Sequence, residues 1–192
     1  MINAVTRWEP NARGRLAQAA LELYGEHGFE QTTVAEIAER AGLTERTFFR
    51  HFADKREVLF AGAGTLQEVV VGAVAGAPDA AAPIDAAVAG VEAAGAVLGE
   101  GREYARQRQA VISANAELRE RELIKLASLA SAIADALRRR GVREPAASLS
   151  AEVAIAAFRI AFERWVNETG QRDLQHLIRE SLDELKAVTA GR

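Results

Sequence analysis

Apolar residues along this chain recur at three- and four-residue intervals, the spacing of amphipathic helices, while the β-branched clusters that would suggest strands are scarce. The pattern predicts an all-α chain of about nine helices. From Asn11, Leu16, Ala20, Leu23 and Tyr24 mark a first helix that Gly28 stops. Two short patterns follow within Thr33 to Arg56, TVAEIAERAGLTERTFFRHFADKR, broken at Ala41-Gly42-Leu43. A small turn bearing glycine lets two helices cross steeply, so this stretch reads as a helix-turn-helix. Thr33 and Glu36 form a capping box, and Thr44 N-caps the second helix. Asp54 and Glu57 repeat the box, so that helix should end near Phe52 and another begin at Lys55. Ile37, Ala38, Leu43, Phe48, Phe52, Leu59 and Phe60 are expected to complete a small core.

The helix from Lys55 should run to Gly76. Its Gly62, Gly64 and Gly72 suggest close helix approach or a void, against the plainer reading of an alanine-rich composition. A linker to Pro83 separates it from further helical patterns. The long one, Arg119 to Arg140, ends at Gly141, with Arg138, Arg139 and Arg140 facing its C-terminal dipole rather than forming a basic binding patch. Residues 146–169 carry Val153, Ala157, Ile160, Ala161, Phe162, Trp165 and Val166 over so wide an arc that the helix should be buried on several sides. The last helix, Asp173 to Val188, carries the stripe Leu174, Leu177, Ile178, Leu182 and Leu185. These last two helices are expected to pair with their copies in a homodimer as a four-helix bundle. The division expected is 1–54, a three-helix helix-turn-helix domain with an N-terminal arm, and 55–192, a helical dimerisation domain.

Composition narrows the class. With 49% hydrophobic residues in 192, the chain can bury a real core. It has no cysteine, so disulfides and thiolate chemistry are excluded. The start, MINAVTRWEP, lacks an apolar leader, and no run approaches the roughly 18 apolar residues of a spanning helix. The expectation is a soluble, cytoplasmic protein with no membrane contact. Net charge is −3, which does not favour nucleic acid; residues 1–60 hold eight basic against nine acidic residues, or −1. Between Thr44 and Arg56, however, Arg46, Arg50, Lys55 and Arg56 outweigh Glu45 and Asp54, or +2. Any phosphate affinity must come from such local placement.

Gly28-Phe29, Thr33-Val34, Ile37-Ala38, Ala41-Gly42-Leu43-Thr44, Phe49-Arg50-His51-Phe52 and Lys55 together resemble the N-terminal pattern of the TetR family of bacterial transcriptional regulators, with ordered spacing over about a quarter of the chain. The resemblance implies a homodimeric, ligand-responsive repressor that binds a palindromic stretch of double-stranded DNA through residues 1–54 and is released by a small molecule bound in a regulatory, ligand-binding domain, residues 55–192. The segment ANAELRERELIKLASLASAIADALRRRG further resembles members with acyl-CoA-like ligands, which implies a lipophilic or acyl-CoA-like effector. One departure matters: the family commonly has tyrosine at Phe49, and its phenol donates to a DNA phosphate.

In this reading the second helix of the motif enters the major groove. Arg46, Phe49 and Arg50 lie at i, i+3, i+4 and share a face opposite Phe48 and Phe52. Arg46 and Arg50 would contact guanine or phosphate, and Phe49 a thymine methyl or a sugar. Glu45 would accept from cytosine N4 or serve the helix dipole. Thr33, Thr44, His51 and Lys55 would position the protein on phosphates, with backbone N–H groups at helix starts at Val34 and Lys55 assisting. Arg7, Arg13 and Arg15 either reach an adjacent groove or belong to a soluble arm. Tyr104, Arg108, Phe158 and Phe162 are candidate effector contacts, beside the plainer reading of core or surface residues.

Other classes fit less well. His27, His51 and His176 are scattered, and Asp173-x-x-His176 lacks the second copy that a carboxylate-bridged metal site needs. No enzyme motif, metal or cofactor is expected. A dimeric adaptor that binds only protein would leave Arg46, Arg50 and Lys55 without a role.

Overall fold

The computed structural model describes residues 11–168, 170 and 172–190. Among them are nine α-helices, one 3-10 turn and no strand. The chain divides into two compact units between Ala61 and Gly62, downstream of the boundary expected after Asp54.

In the first unit, α1 (Ala12–His27) is capped by Asn11, whose Oδ1 accepts from the Gly14 N–H at 3.2 Å. Gly28 ends it at φ 86°. The α2 helix (Val34–Arg40) has both halves of its capping box: the Glu36 N–H donates to Thr33 Oγ1 at 3.2 Å, and the Thr33 N–H donates to Glu36 Oε2 at 2.7 Å. Gly42, at φ 66°, turns the chain so that the Leu43 N–H donates to the Ala38 carbonyl; this left-handed conformation favours glycine. Thr44 then caps α3 (Glu45–His51). Leu16, Ile37, Phe48, Phe52, Val58, Leu59 and Phe60 are buried together in this unit, while Leu43 is half-buried.

The helix expected from Lys55 does not form as drawn. Asp54 Oδ1 accepts from the Arg56 and Glu57 N–H groups, but this cap opens only a 3-10 turn, Glu57–Phe60. Val58, Leu59 and Phe60 are all buried. Successive side chains point about 100° apart in an α-helix and about 120° apart in a 3-10 turn, so three buried residues in a row mean that this short segment is covered on several sides.

The second unit contains α4 (Ala63–Gly76), α5 (Pro83–Gly99), α6 (Arg102–Ala114), α7 (Ala116–Arg139), α8 (Ala146–Asn167) and α9 (Leu174–Thr189). Its core joins Val70 and Val74 of α4, Val91 and Ala94 of α5, Ile133 and Leu137 of α7, Phe158 and Trp165 of α8, and Leu177 and Ile178 of α9. Gly62, Gly64 and Gly72 each face open space, which agrees with the plainer reading of an alanine-rich composition and not with close helix approach. Such approach occurs instead at Gly90 of α5, where a Cβ would lie 2.7 Å from Val74 Cγ2 and 3.1 Å from the Val70 carbonyl oxygen. By length and composition Glu57–Gly76 could cross a membrane, contrary to expectation. It is not one continuous α-helix, and Val70 and Val74 are fully buried in the core.

Gly141 ends the α7 region at φ 88°, as expected. Arg138 and Arg139 stand in the last turn of α7, as expected, and Arg138 and Arg140 also bond elsewhere. Arg140 donates to the carbonyls of Ala75, Ala77 and Pro78, capping α4, and Arg138 pairs with Asp135 and Glu144. On α8, Ala157, Ala161, Trp165 and Val166 are buried and Val153 and Phe162 half-buried, but Ile160 is 49% exposed. That helix is therefore covered on fewer sides than its composition suggests.

Candidate nucleic-acid interface and effector region

The α3 helix is amphipathic over only two turns. Phe48 and Phe52 point into the core, with ring centroids 5.6 Å apart. Glu45, Arg46, Phe49 and Arg50 are exposed on the other side, as is the capping Thr44. Neither Arg46 nor Arg50 makes a hydrogen bond or ion pair among the described residues. Thr33 is also exposed at the start of α2, where its hydroxyl donates to Glu36 Oε2 at 2.8 Å.

Most of the other expected basic contacts are committed within the protein. Lys55 Nζ donates to the carbonyls of Phe29, Glu30 and Thr32 at 2.8, 3.2 and 3.1 Å and lies 4.4 Å from the Phe29 ring centroid. An ammonium has three donors, so the expected phosphate contact by this side chain is replaced by a structural clamp on the loop before α2. Arg56 pairs with Asp54 at 2.8 Å. Arg13 Nε donates to the Ala61 carbonyl at 3.0 Å and stacks over Phe52, and Arg15 donates to the Ala41 carbonyl. These two are therefore neither a groove-reaching arm nor a soluble one; Arg7 lies outside the described residues. No helix begins at Lys55 to offer backbone donors.

His51 is half-buried, and its Nε2 is buried without a protein hydrogen-bond partner. Burial, then the charges of Arg50 and Arg13, push its pKa down, which favours the neutral ring. Burial of the Tyr24 phenol and the nearby Asp54 raise its pKa; the hydroxyl donates to the Lys55 carbonyl at 2.6 Å. Of the basic residues considered for a nucleic-acid contact, Arg46 and Arg50 are exposed and have no hydrogen bond or ion pair among the described residues.

In the second unit the four expected effector residues fall into two clusters. On α6, the largely buried Arg108 pairs with Glu122 of α7 at 3.3 Å, and Gln109 donates to the other Glu122 oxygen at 3.2 Å. Gln109 Oε1 is buried without a protein partner. Desolvation lowers the Arg108 pKa against the opposing pull of Glu122, and burial raises that of Tyr104 against the Arg108 charge. On α8, Phe158 and Phe162 stack at 5.9 Å, and Phe162 meets Trp165 at 5.8 Å. A separate cleft of about 460 Å³ is lined by Arg164, Glu180, Asp183 and Glu184 and includes none of the four. Glu122 and Gln109 carried no sequence signal: their partners lie a turn and a helix away.

Two family descriptions match this chain: bacterial regulatory proteins of the tetR family over residues 16–61, and the MftR C-terminal domain over residues 81–190. The second alone spans more than half of the 192 residues. The chain belongs to the TetR family. This TetR-family chain is 41% identical over 74 residues to the HTH-type transcriptional regulator TcmR of Streptomyces glaucescens, a match covering 38% of the chain and 33% of TcmR. The match thus spans about a third of that relative's length. SmeT, the repressor of the Stenotrophomonas maltophilia efflux pump SmeDEF, in its triclosan complex superposes with TM-score 0.65 and 23% identity over 92% of this chain and 90% of that one. FadR of Bacillus subtilis in complex with stearoyl-CoA gives 0.61 and 18% over 90% and 96%. At these identities the two structures speak for the fold.

Proposed function

We propose that this protein is a ligand-responsive, DNA-binding transcriptional regulator, a homodimeric repressor released from a palindromic operator by a small molecule. The observation that carries the reading is the α3 face, where Arg46, Phe49 and Arg50 are exposed side by side and the two guanidiniums have no hydrogen bond or ion pair among the described residues. A guanidinium offers a planar fork of donors suited to guanine O6 and N7 or to phosphate. Glu45 faces cytosine N4 or the helix dipole. Thr33 and Thr44 contact phosphates, which set register without reading sequence. His51 and Lys55 support this surface from behind: one carries a half-buried, neutral-leaning ring and the other ties down the preceding loop. The protein acts in the cytoplasm, where the DNA is, and binds rather than transforms its effector.

The dimer forms through α8 and α9. Leu149 and Ile160 of α8 are 61% and 49% exposed, with Val153 and Ala156 between them at helical spacing, and Val188 of α9 is 65% exposed. Such a stripe matches itself across a two-fold axis. The effector binds within the second unit, its polar part at Tyr104 and Arg108 and its apolar part at Phe158 and Phe162. A lipophilic or acyl-CoA-like molecule fits this pairing, and the fold neighbour FadR is seen with stearoyl-CoA. An effector that weakens DNA binding must itself bind less well to the DNA-bound protein.

The test is selection from random duplexes with the full-length protein. The reading expects an enriched, roughly palindromic site with half-sites about 34–36 Å apart or a multiple of it. Absence of any enriched site would overturn it.

A further inference from the structure

Phe49 is at odds with the rest of its helix. Its ring is 56% exposed, whereas Phe48 and Phe52 are 0% and 4% exposed. Burying a phenyl side chain is favourable, and in the free protein Phe49 forgoes much of this. The ring is also held in place: it stands edge-on to the fully buried Phe48, with centroids 5.4 Å apart and planes at 81°, a preferred aromatic geometry. Arg46 and Arg50, at i−3 and i+1, flank it on the same exposed face. A phenyl ring offers a phosphate no hydrogen bond. Of the groups that base edges present in the major groove, one is apolar, the C5 methyl of thymine.

We propose that Phe49 reads the C5 methyl of one thymine in each operator half-site, and so determines sequence specificity beside the two arginines. The proposal rests on the DNA-binding reading above and sharpens it. Contact with the methyl removes it from water and covers the exposed ring; a methyl-sized contact corresponds to about fourfold in affinity per half-site. Because the ring is held by Phe48 before DNA arrives, little ordering opposes the gain.

The test uses the duplex enriched by selection, with each half-site thymine replaced in turn, symmetrically, by deoxyuridine, which removes the methyl and keeps every hydrogen-bonding group. Affinities are measured by fluorescence anisotropy for the wild type, Phe49→Ala and Phe49→Leu. One symmetric replacement should weaken the wild type by about fourfold per half-site, weaken Phe49→Leu by less, and leave Phe49→Ala unchanged. The proposal is overturned if no deoxyuridine replacement weakens the wild type, or if the same replacement weakens Phe49→Ala equally, which would assign the methyl to another residue. Failure of the selection itself would instead remove the DNA-binding reading, and this proposal with it.

Discussion

At the residue scale, the chain separates basic groups that hold the fold from those left for a partner. Lys55 and Arg50 stand five positions apart and resemble each other in sequence as exposed cations near a recognition helix. Lys55 is bound to three carbonyls, two of these bonds part-buried and one exposed, so Lys55→Met should destabilise the protein by about 1–2 kcal/mol through the lost hydrogen bonds to a charged group. Thermal unfolding should show a lower Tm. Arg50→Ala should leave Tm unchanged and cost DNA affinity roughly tenfold or more. His51 gives a pH signature. Its folded-state pKa lies below the ordinary value of 6.5, so the unfolded chain takes up the proton first, and the stability His51 contributes is present above pH 6.5 and is lost as pH falls through the folded value. The drop in Tm between pH 7.5 and 5.5 should therefore be smaller in His51→Gln than in the wild type. The α3 face was legible from the i, i+3, i+4 spacing of Arg46, Phe49 and Arg50. The commitment of Lys55, Arg13 and Arg15 was not, because their carbonyl partners lie 23 to 48 residues away and a carbonyl has no letter in the sequence.

At the element scale, helix starts were read correctly where a side chain caps them, at Thr33, Thr44 and Asp173. At Asp54 the Glu57 N–H does donate to the carboxylate, but the α-helix expected from Lys55 does not form, and a 3-10 turn, Glu57–Phe60, with Val58, Leu59 and Phe60 all buried, stands in its place. Glycines were the least legible feature, since whether one meets a neighbour depends on tertiary packing. Gly90→Ala should destabilise by about 1–3 kcal/mol through overpacking against Val74 and Val70. Gly72→Ala, in open space on α4, should stabilise by about 0.5–1 kcal/mol. Chemical denaturation checks both signs. A further tie joins α6 to the end of α8: Arg102 donates to the Glu168 and Gly170 carbonyls and lies 5.6 Å from the Trp165 ring centroid, while Arg106 donates to the Val166 carbonyl at 3.0 Å.

At the scale of the whole molecule, a net charge of −3 and affinity for DNA are compatible if few cations carry the contact. Affinity should then fall with salt less steeply than for a protein with many phosphate contacts, because the slope counts the ions released. The proposed dimer makes its own prediction. Ile160→Glu places a charge on the exposed α8 stripe without touching the core, and should shift the protein from dimer to monomer in sedimentation while helix content stays constant. The all-helical architecture was legible throughout from period and composition. The effector clusters were legible only as residue types, since the Arg108–Glu122 pair bridges two helices.

The most direct test of the central claim is the affinity of Arg46→Ala/Arg50→Ala for the selected duplex, measured at fixed salt beside its Tm. The structure predicts a loss of about a hundredfold or more with the Tm of the wild type. Unchanged affinity in that variant would contradict the assignment of α3 as the DNA-reading helix.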